Sequence, residues 1–249
     1  MDIAVIIPAR MASTRLPGKP LLDIGGRPMV IRVWERIRRV RGVAKVVIAT
    51  PDLEIMEAAK RFGAEAVLTS GRCRSGSDRA AEAARGLRAG VIVNVQGDEP
   101  FISPASVTKV IAALMNSRGS VMSTLRCPMA SRDEWEDPGV VKVLTGRDGA
   151  AICFSRRPLP YDVSGGSVAF PSGESDPWGR HVGIYAFRRG FLLKFAAMKR
   201  TPLEAAESLE QLRALENGFS IQVGYVRGAG VGVDTPADLE KARGLFRKA

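Results

Sequence analysis

The chain opens on an unbroken apolar run, Ile3-Ala4-Val5-Ile6-Ile7, the pattern of a strand buried on both faces. Val43–Ala49, Ala64–Thr69 and Gly90–Val95 repeat the pattern, and helical spacing of apolar positions at Leu53–Phe62 and Asp78–Leu87 falls between them. Ser103-Pro104 supplies an N-cap and a first-turn proline for a further helix running to Asn116. Strands alternating with helices predict an α/β fold on a mostly parallel, doubly wound sheet.

From residue 120 the pattern changes. Strand-like pieces at Ser120–Leu125, Val140–Leu144, Ala151–Ser155 and Val182–Phe187 follow one another with loops between them, predicting a smaller β-rich subregion over about 120–190 within a single domain. Val163–Trp178 is rich in Gly, Ser and Pro and reads as a mobile or partner-contacting excursion. A helix at Ala206–Asn217 capped by Gly218, a strand at Ser220–Val226 and a helix from Thr235-Pro236 onward close the chain. Thr235 as N-cap, Pro236 at the first helical position and Asp238 in the first turn form a complete helix start.

Composition changes this picture little. An apolar content of 45% and a charged content of 25% over 249 residues are ordinary globular values. No apolar run approaches the roughly 20 residues of a membrane span, and no basic n-region precedes the first strand. The three cysteines, Cys73, Cys127 and Cys153, lack CxxC spacing, which argues against a disulfide framework or a zinc site and for a cytoplasmic setting. The net charge of +11 is spread along the chain, and no basic segment is interleaved with aromatics as a nucleic-acid stacking platform requires. An anionic small substrate suits the charge.

The chemistry concentrates where strands end. After the first strand comes Pro8-Ala9-Arg10-Met11-Ala12-Ser13-Thr14-Arg15-Leu16-Pro17-Gly18-Lys19-Pro20, a loop of cations and hydroxyls at the place where open α/β sheets bind ligands. Arg10, Arg15 and Lys19 there make a chemically sensible polyphosphate cradle, with a solvated basic loop as the plain alternative that the position after the first strand counts against. Asn94-Val95-Gln96-Gly97-Asp98-Glu99-Pro100 places a carboxylate beyond a buried strand, with Gly97 admitting a close ligand. Asp98 suits a divalent cation bridging phosphates, although a plain turn before Pro100 explains it as well. Asp234, just before a helix start, is either part of the cap or a second carboxylate that meets Asp98 across the sheet to clamp metal. Ser75-Gly76-Ser77-Asp78-Arg79 opens a helix and is either a first turn favoured by the dipole or a loop reading a nucleobase. Downstream lie His181, the sole histidine, ahead of a strand, and Glu207, Glu210 and Gln211 at helical spacing, where a solvated face laced with Arg213 is the simplest account.

These segments occur in an order that resembles the CMP-Kdo synthetases, the 3-deoxy-manno-octulosonate cytidylyltransferases. The resemblance also takes in Asp137-Pro138, Val141-Lys142, Phe154-Ser155-Arg156, His181-Val182-Gly183-Ile184-Tyr185, Leu209–Gly218 and Gly232-Val233-Asp234-Thr235-Pro236. It spans essentially the whole chain. It implies a sheet of the nucleotide-diphospho-sugar transferase type with a dimerisation and acceptor excursion, a homodimer, and Mg²⁺ dependence. The implied reaction joins CTP to 3-deoxy-D-manno-octulosonate (Kdo), giving CMP-Kdo and pyrophosphate for lipopolysaccharide biosynthesis.

By the same resemblance Pro8, Ala9, Arg10, Ser13, Lys19, Gly76, Arg79 and Gln96 bind the nucleotide, with Lys19, Arg10, Asp98 and Asp234 catalytic and Asp98 and Asp234 holding magnesium. Arg157, His181, Tyr185, Glu210 and Gln211 line the acceptor pocket, with Arg157 facing the acid's carboxylate. Ser77 stands where the family usually has Thr, Pro51-Asp52 replaces a more usual acidic pair and touches no assigned role, and Arg126 adds a charge after Ser123-Thr124-Leu125. Two alternatives stay open: CMP transfer to another anionic acceptor (an amino-ulosonic acid, a sialic-type sugar or a phosphonate), and a non-catalytic nucleotide- or nucleic-acid-binding cleft.

Overall fold

The computed structural model describes residues 2–13, 15–160, 170–171 and 173–247. Its strands are β1 (Ile3–Pro8), β2 (Lys45–Thr50), β3 (Glu65–Leu68), β4 (Val91–Asn94), β5 (Met122–Cys127), β6 (Lys142–Thr145), β7 (Ala151–Ser155), β8 (Trp178–Arg188) and β9 (Ile221–Tyr225). Its α-helices are α1 (Met29–Ile37), α2 (Leu53–Arg61), α3 (Gly76–Ala84), α4 (Pro104–Asn116), α5 (Arg132–Glu136), α6 (Arg189–Ala197), α7 (Pro202–Glu207), α8 (Leu212–Glu216) and α9 (Pro236–Arg247). None of these helices is long and apolar enough to cross a membrane.

The chain forms two compact units. The first comprises Met1–Thr108, Phe187–Ala196 and Gly230–Ala249. In it β3, β2, β1 and β4 lie side by side in that order, all parallel. The unbroken apolar runs are the cause: Val5, Ile6, Ile7, Ile48 and Val91–Val93 are sealed from solvent by helices on the sheet. α1 and α3 pack against β1, and α2 packs against β3. The amphipathic α1, which falls in a stretch to which the sequence pattern assigned no element, buries Met29, Val30, Ile31, Val33, Trp34 and Ile37.

The second unit comprises Lys109–Ala186 and Ala197–Ala229. Here β5 pairs in parallel with β9, while β6 pairs antiparallel with both β7 and β8. The fold is therefore mixed α/β with mostly parallel strands, as expected; of the stretch 120–190, residues up to Ala186 belong to this unit and the remainder to the first. Met129, Trp135 and Trp178 form a small apolar cluster, against which Phe170 packs. Phe170 and Trp178 belong to the Gly/Ser/Pro-rich stretch, whose residues 163–169 and 172 lie outside the described residues.

Two local expectations are corrected. His181 does not precede a strand but lies inside β8, which begins at Trp178. The helix expected at Ala206–Asn217 is broken. α7 starts at Pro202 behind the cap Thr201, ends at Glu207, and is followed by Ser208 with a left-handed φ of 52°. Tight turns then carry Leu209–Gln211 into α8: the N–H groups of Leu212, Arg213 and Ala214 donate three residues back. Glu207, Glu210 and Gln211 therefore do not share one helical face.

Candidate functional site

In the first unit a cleft of about 670 Å³ opens where β1 ends. It is lined by every residue assigned to the nucleotide from sequence, namely Pro8, Ala9, Arg10, Ser13, Lys19, Gly76, Arg79 and Gln96, together with Asp98 and Asp234. Ala12, Arg15, Pro20, Ser75 and Gly97 complete the lining.

The loop after β1 is built from its own backbone outward. Leu16 is buried in a cluster with Ile24, Met29, Val233, Leu239 and Ala242, so one apolar plug anchors both this loop and the segment leading to Asp234. Gly18 adopts φ +66°, a conformation glycine takes without strain, and so starts a 3-10 turn at Lys19–Leu21. The Met11 N–H donates to Asp52 Oδ2 at 2.7 Å. Asp52 thus steadies the cradle, a role its sequence position did not reveal because the contact spans 41 residues.

Gly97 lines the cleft and also has a packing reason: a Cβ there would lie 2.9 Å from the Pro8 carbonyl oxygen, so the glycine admits the end of β1. A Cβ at Gly76 would likewise meet Gln96 Oε1 at 3.1 Å and Pro8 Cγ at 3.3 Å. Pro8 at the end of β1, Gly76 at the start of α3 and Gln96 in the loop after β4 are packed closely together.

The two carboxylates converge. Lys19 Nζ donates to Asp98 Oδ2 at 2.6 Å and to Asp234 Oδ1 at 2.8 Å, and Arg15 lies 3.2 Å from Asp234 Oδ1. Burial works against the Lys19 ammonium, but the charge of Asp98 and the bonds to Asp234 and Asp98 outweigh it and raise its pKa above the ordinary lysine value. The Val233 N–H donates to the Asp98 carbonyl at 2.9 Å, tying the two loops together. Asp234 is not the helix cap. Thr235 and Asp238 perform that task reciprocally: the Thr235 N–H donates to Asp238 Oδ2 at 2.9 Å and the Asp238 N–H to Thr235 Oγ1 at 3.2 Å. The Thr235 hydroxyl bond holds the Asp238 carboxyl below its usual pKa.

Among the described residues no three His, Cys, Asp or Glu side chains gather as a complete metal cage. Magnesium does not need one. Two hard carboxylates meeting on a single cation at the wall of an open cleft are a suitable donor set when phosphates and water supply the remainder. Here that shared cation is the Lys19 ammonium.

At the start of α3, Ser75 caps the helix by accepting the Asp78 N–H, and Asp78 accepts from Arg74, a first-turn arrangement. Arg79 is buried, and its Nη1 donates to Thr69 Oγ1 at 2.6 Å and to the Ser70 carbonyl at 3.3 Å. It braces residues 69–70 beside the cleft. Ser77 is also buried, 3.5 Å from Asn94 Nδ2, and is not among the lining residues.

The acceptor candidates all lie in the second unit. His181, Gly183 and Tyr185 alternate onto one face of β8, with Val182 and Ile184 on the buried face. His181 and Tyr185 have ring centroids 5.5 Å apart, and a Cβ at Gly183 would meet nothing within 4 Å, leaving room over the strand. His181 Nε2 is 2.9 Å from Thr124 Oγ1, and burial lowers its pKa from 6.5 to about 3, so the imidazole is neutral. Burial raises the Tyr185 pKa strongly, with the charge of Glu210 adding to it. Gln211 is buried, and its Nε2 has no hydrogen-bond partner among the described residues. An unpaired buried amide donor is costly, which makes it a natural contact for a polar ligand.

Arg157 is exposed at the end of β7, where its N–H donates to Ser155 Oγ. Glu207 holds this strand end by accepting from Ser155 Oγ at 2.6 Å and from the Arg156 N–H at 2.9 Å. Burial would raise the Glu207 pKa, but these bonds hold it below the usual carboxylate value. Lys142, fully buried, donates to the carbonyls of Asp137, Val140 and Arg156, each at 2.8 Å. Arg213 does not lace a solvated face; it forms a buried pair with Glu204. Arg126 is buried over the Tyr225 ring with Nη2 on the Glu174 carbonyl.

Comparison with known proteins decides the family. The family model described as cytidylyltransferase matches residues 4–221. A 3-deoxy-manno-octulosonate cytidylyltransferase of Geobacter metallireducens is 47% identical over 247 residues, covering 97% of this chain and 96% of that protein. Its counterpart in Geobacter sulfurreducens is 48% identical over 247 residues, covering 97% and 98%. The chain belongs to the 3-deoxy-manno-octulosonate cytidylyltransferase family.

A solved structure of CMP:2-keto-3-deoxy-manno-octonic acid synthetase complexed with CTP matches with a TM-score of 0.92 at 40% identity, over 100% of this chain and 99% of that one. The departures from the usual family pattern fall on residues with structural partners: Ser77 beside Asn94, Asp52 on Met11 and Arg126 on Glu174.

Proposed function

We propose that this cytidylyltransferase joins CTP to Kdo, giving CMP-Kdo and pyrophosphate, with magnesium as cofactor and lipopolysaccharide biosynthesis as its setting. One observation carries the reading: Lys19, Asp98 and Asp234 converge in the cleft of a chain nearly half identical to enzymes named for this activity. A purely anion-binding cleft gains nothing from two carboxylates beside the phosphates, whereas a metal-assisted transferase requires them.

Arg10, Ser13 and Lys19 bind the triphosphate, and Arg79 holds the loop that flanks the cytosine. Asp98 and Asp234 would hold the metal, which when bound supplies neutralisation of phosphate charge. The anomeric hydroxyl of the sugar attacks the α-phosphorus in line and gives up its proton to water, the bond to pyrophosphate breaks, and no covalent enzyme nucleophile is used. The chain contributes orientation and charge: Lys19 and Arg10 stabilise the negative charge that moves onto the leaving pyrophosphate. The neutral imidazole of His181, with Tyr185, Glu210, Gln211 and Arg157, binds the polyhydroxylated acid, which demands fixed donors and acceptors more than apolar walls. The working form is a cytoplasmic homodimer.

The test is pyrophosphate release from CTP and Mg²⁺ against a panel of Kdo, amino-ulosonic acids, sialic acid and phosphonates. Release dependent on Kdo and several orders of magnitude faster than with the other acids is expected. Release with none, or equally with a phosphonate, overturns the assignment.

A further inference from the structure

The two carboxylates of the cleft share a cation supplied by the chain itself. Lys19 reaches both, at 2.6 and 2.8 Å, with its side chain only 12% exposed, and Arg15 adds a second positive charge beside Asp234 at 3.2 Å. The cluster contains two positive and two negative groups and is neutral. A divalent ion entering alone would share Asp98 and Asp234 with an ammonium already in place. A triphosphate entering alone would bring its charge against two carboxylates. Entering together, each takes the partner the other displaces: the phosphates draw off Lys19 and Arg15, and the metal takes the freed acids. Like charges at these distances repel strongly in a partly buried site, so the paired exchange is favoured over either single one.

We propose that Lys19 is a counter-ion that closes the metal site of the nucleotide-free protein, so that divalent cation and CTP bind with positive coupling through its release. The proposal rests on the functional reading above for the identity of the nucleotide, but the competition between Lys19 and metal rests only on the Lys19–Asp98–Asp234 geometry. Coupling of this kind is reciprocal: metal must tighten the nucleotide by the same factor as nucleotide tightens the metal.

The experiment measures Mn²⁺ binding to the full chain by electron paramagnetic resonance, without nucleotide and with the non-hydrolysable α,β-methylene analogue of CTP, correcting for Mn²⁺ held by the analogue itself. Without nucleotide, Lys19→Met and Lys19→Gln are expected to bind Mn²⁺ on the order of tenfold more tightly than the wild type. Lys19→Arg, which retains the charge, stays as weak as the wild type. Asp98→Asn in the Lys19→Met background abolishes the gain. In the wild type the analogue raises Mn²⁺ affinity by a similar factor. Circular dichroism establishes that each variant is folded, and two neutral substitutions guard against one that is not. Unchanged Mn²⁺ affinity in folded Lys19→Met and Lys19→Gln overturns the proposal, as does a gain that survives Asp98→Asn. Failure of every form to bind the analogue would strike the nucleotidyl-transfer reading instead, and the nucleotide-free comparison would still decide the role of Lys19.

Discussion

The buried pair Glu204–Arg213 is the sharpest stability test in the molecule. Both residues are 4% exposed. Arg213 Nε donates to Glu204 Oε2 at 2.7 Å, and Nη2 donates to Oε1, a two-point contact. Glu204 also closes the capping box of α7, accepting the Thr201 N–H at 3.3 Å. Between the two partners lie the left-handed Ser208 and the turn that carries Glu210 and Gln211. Glu204→Gln preserves the shape and strands a buried guanidinium. Breaking such a pair from one side costs about 3–5 kcal/mol, and a chain of this size loses roughly 2–4 °C of melting temperature per kcal/mol. The expected fall is therefore roughly 6–20 °C by scanning calorimetry. Arg213→Met should fall comparably. Replacing both, as Glu204→Met with Arg213→Leu, should lose clearly less than the sum, because no charge is left stranded. Kdo KM should rise in the single variants as the Gln211 turn loses its brace, while CTP affinity, proposed to be set by the cleft of the first unit, should be retained. A single variant losing under about 1 kcal/mol, or a double variant losing the full sum, refutes the reasoning.

Asp98→Asn and Asp234→Asn should each lower kcat about 100-fold or more with the melting temperature nearly unchanged, and near-normal turnover at saturating Mg²⁺ removes that carboxylate from the mechanism. His181→Ala and Gln211→Ala should raise the Kdo KM or lower kcat while calorimetric CTP affinity stays the same; loss of CTP binding would make both residues structural. His181 also sets a pH dependence. Its pKa is lowered in the folded chain from 6.5 to about 3, so below pH 6.5 the unfolded chain binds the extra proton. The stability it contributes is complete above pH 6.5 and is lost as the pH falls towards about 3. His181→Phe should show a flatter urea midpoint across that window, and an identical slope in both proteins would contradict the burial argument.

Much of this protein is legible along the chain because the signals involved are local. Continuous apolar runs mark β1, β2 and β4, since strands covered on both faces need no polar alternation. Caps such as Thr235-Pro236 with Asp238 are read from neighbours within one turn, and they freed Asp234 for the cleft. The positions of Arg10, Lys19, Gln96 and Asp98 in loops that follow strands, and of Gly76 and Asp234 at helix starts, were likewise visible, because a parallel sheet gathers its strand-end loops at one edge.

Tertiary structure alone decided which of these groups meet, and with what. Lys19 finds its acids 79 and 215 residues away, and Met11 finds Asp52 across 41. Periodicity cannot encode such pairings, because charge attraction and packing act through space. The same reason hid the use of Gly97, whose missing Cβ makes room for the Pro8 carbonyl, and the burial of His181 against Thr124. It also hid the break at Ser208: apolar spacing favoured one continuous helix over 206–217, and the structure instead turns there, with Arg213 paired to Glu204 rather than facing water. Sequence determined the elements and the chemistry available at their ends; packing determined the partner of each charge.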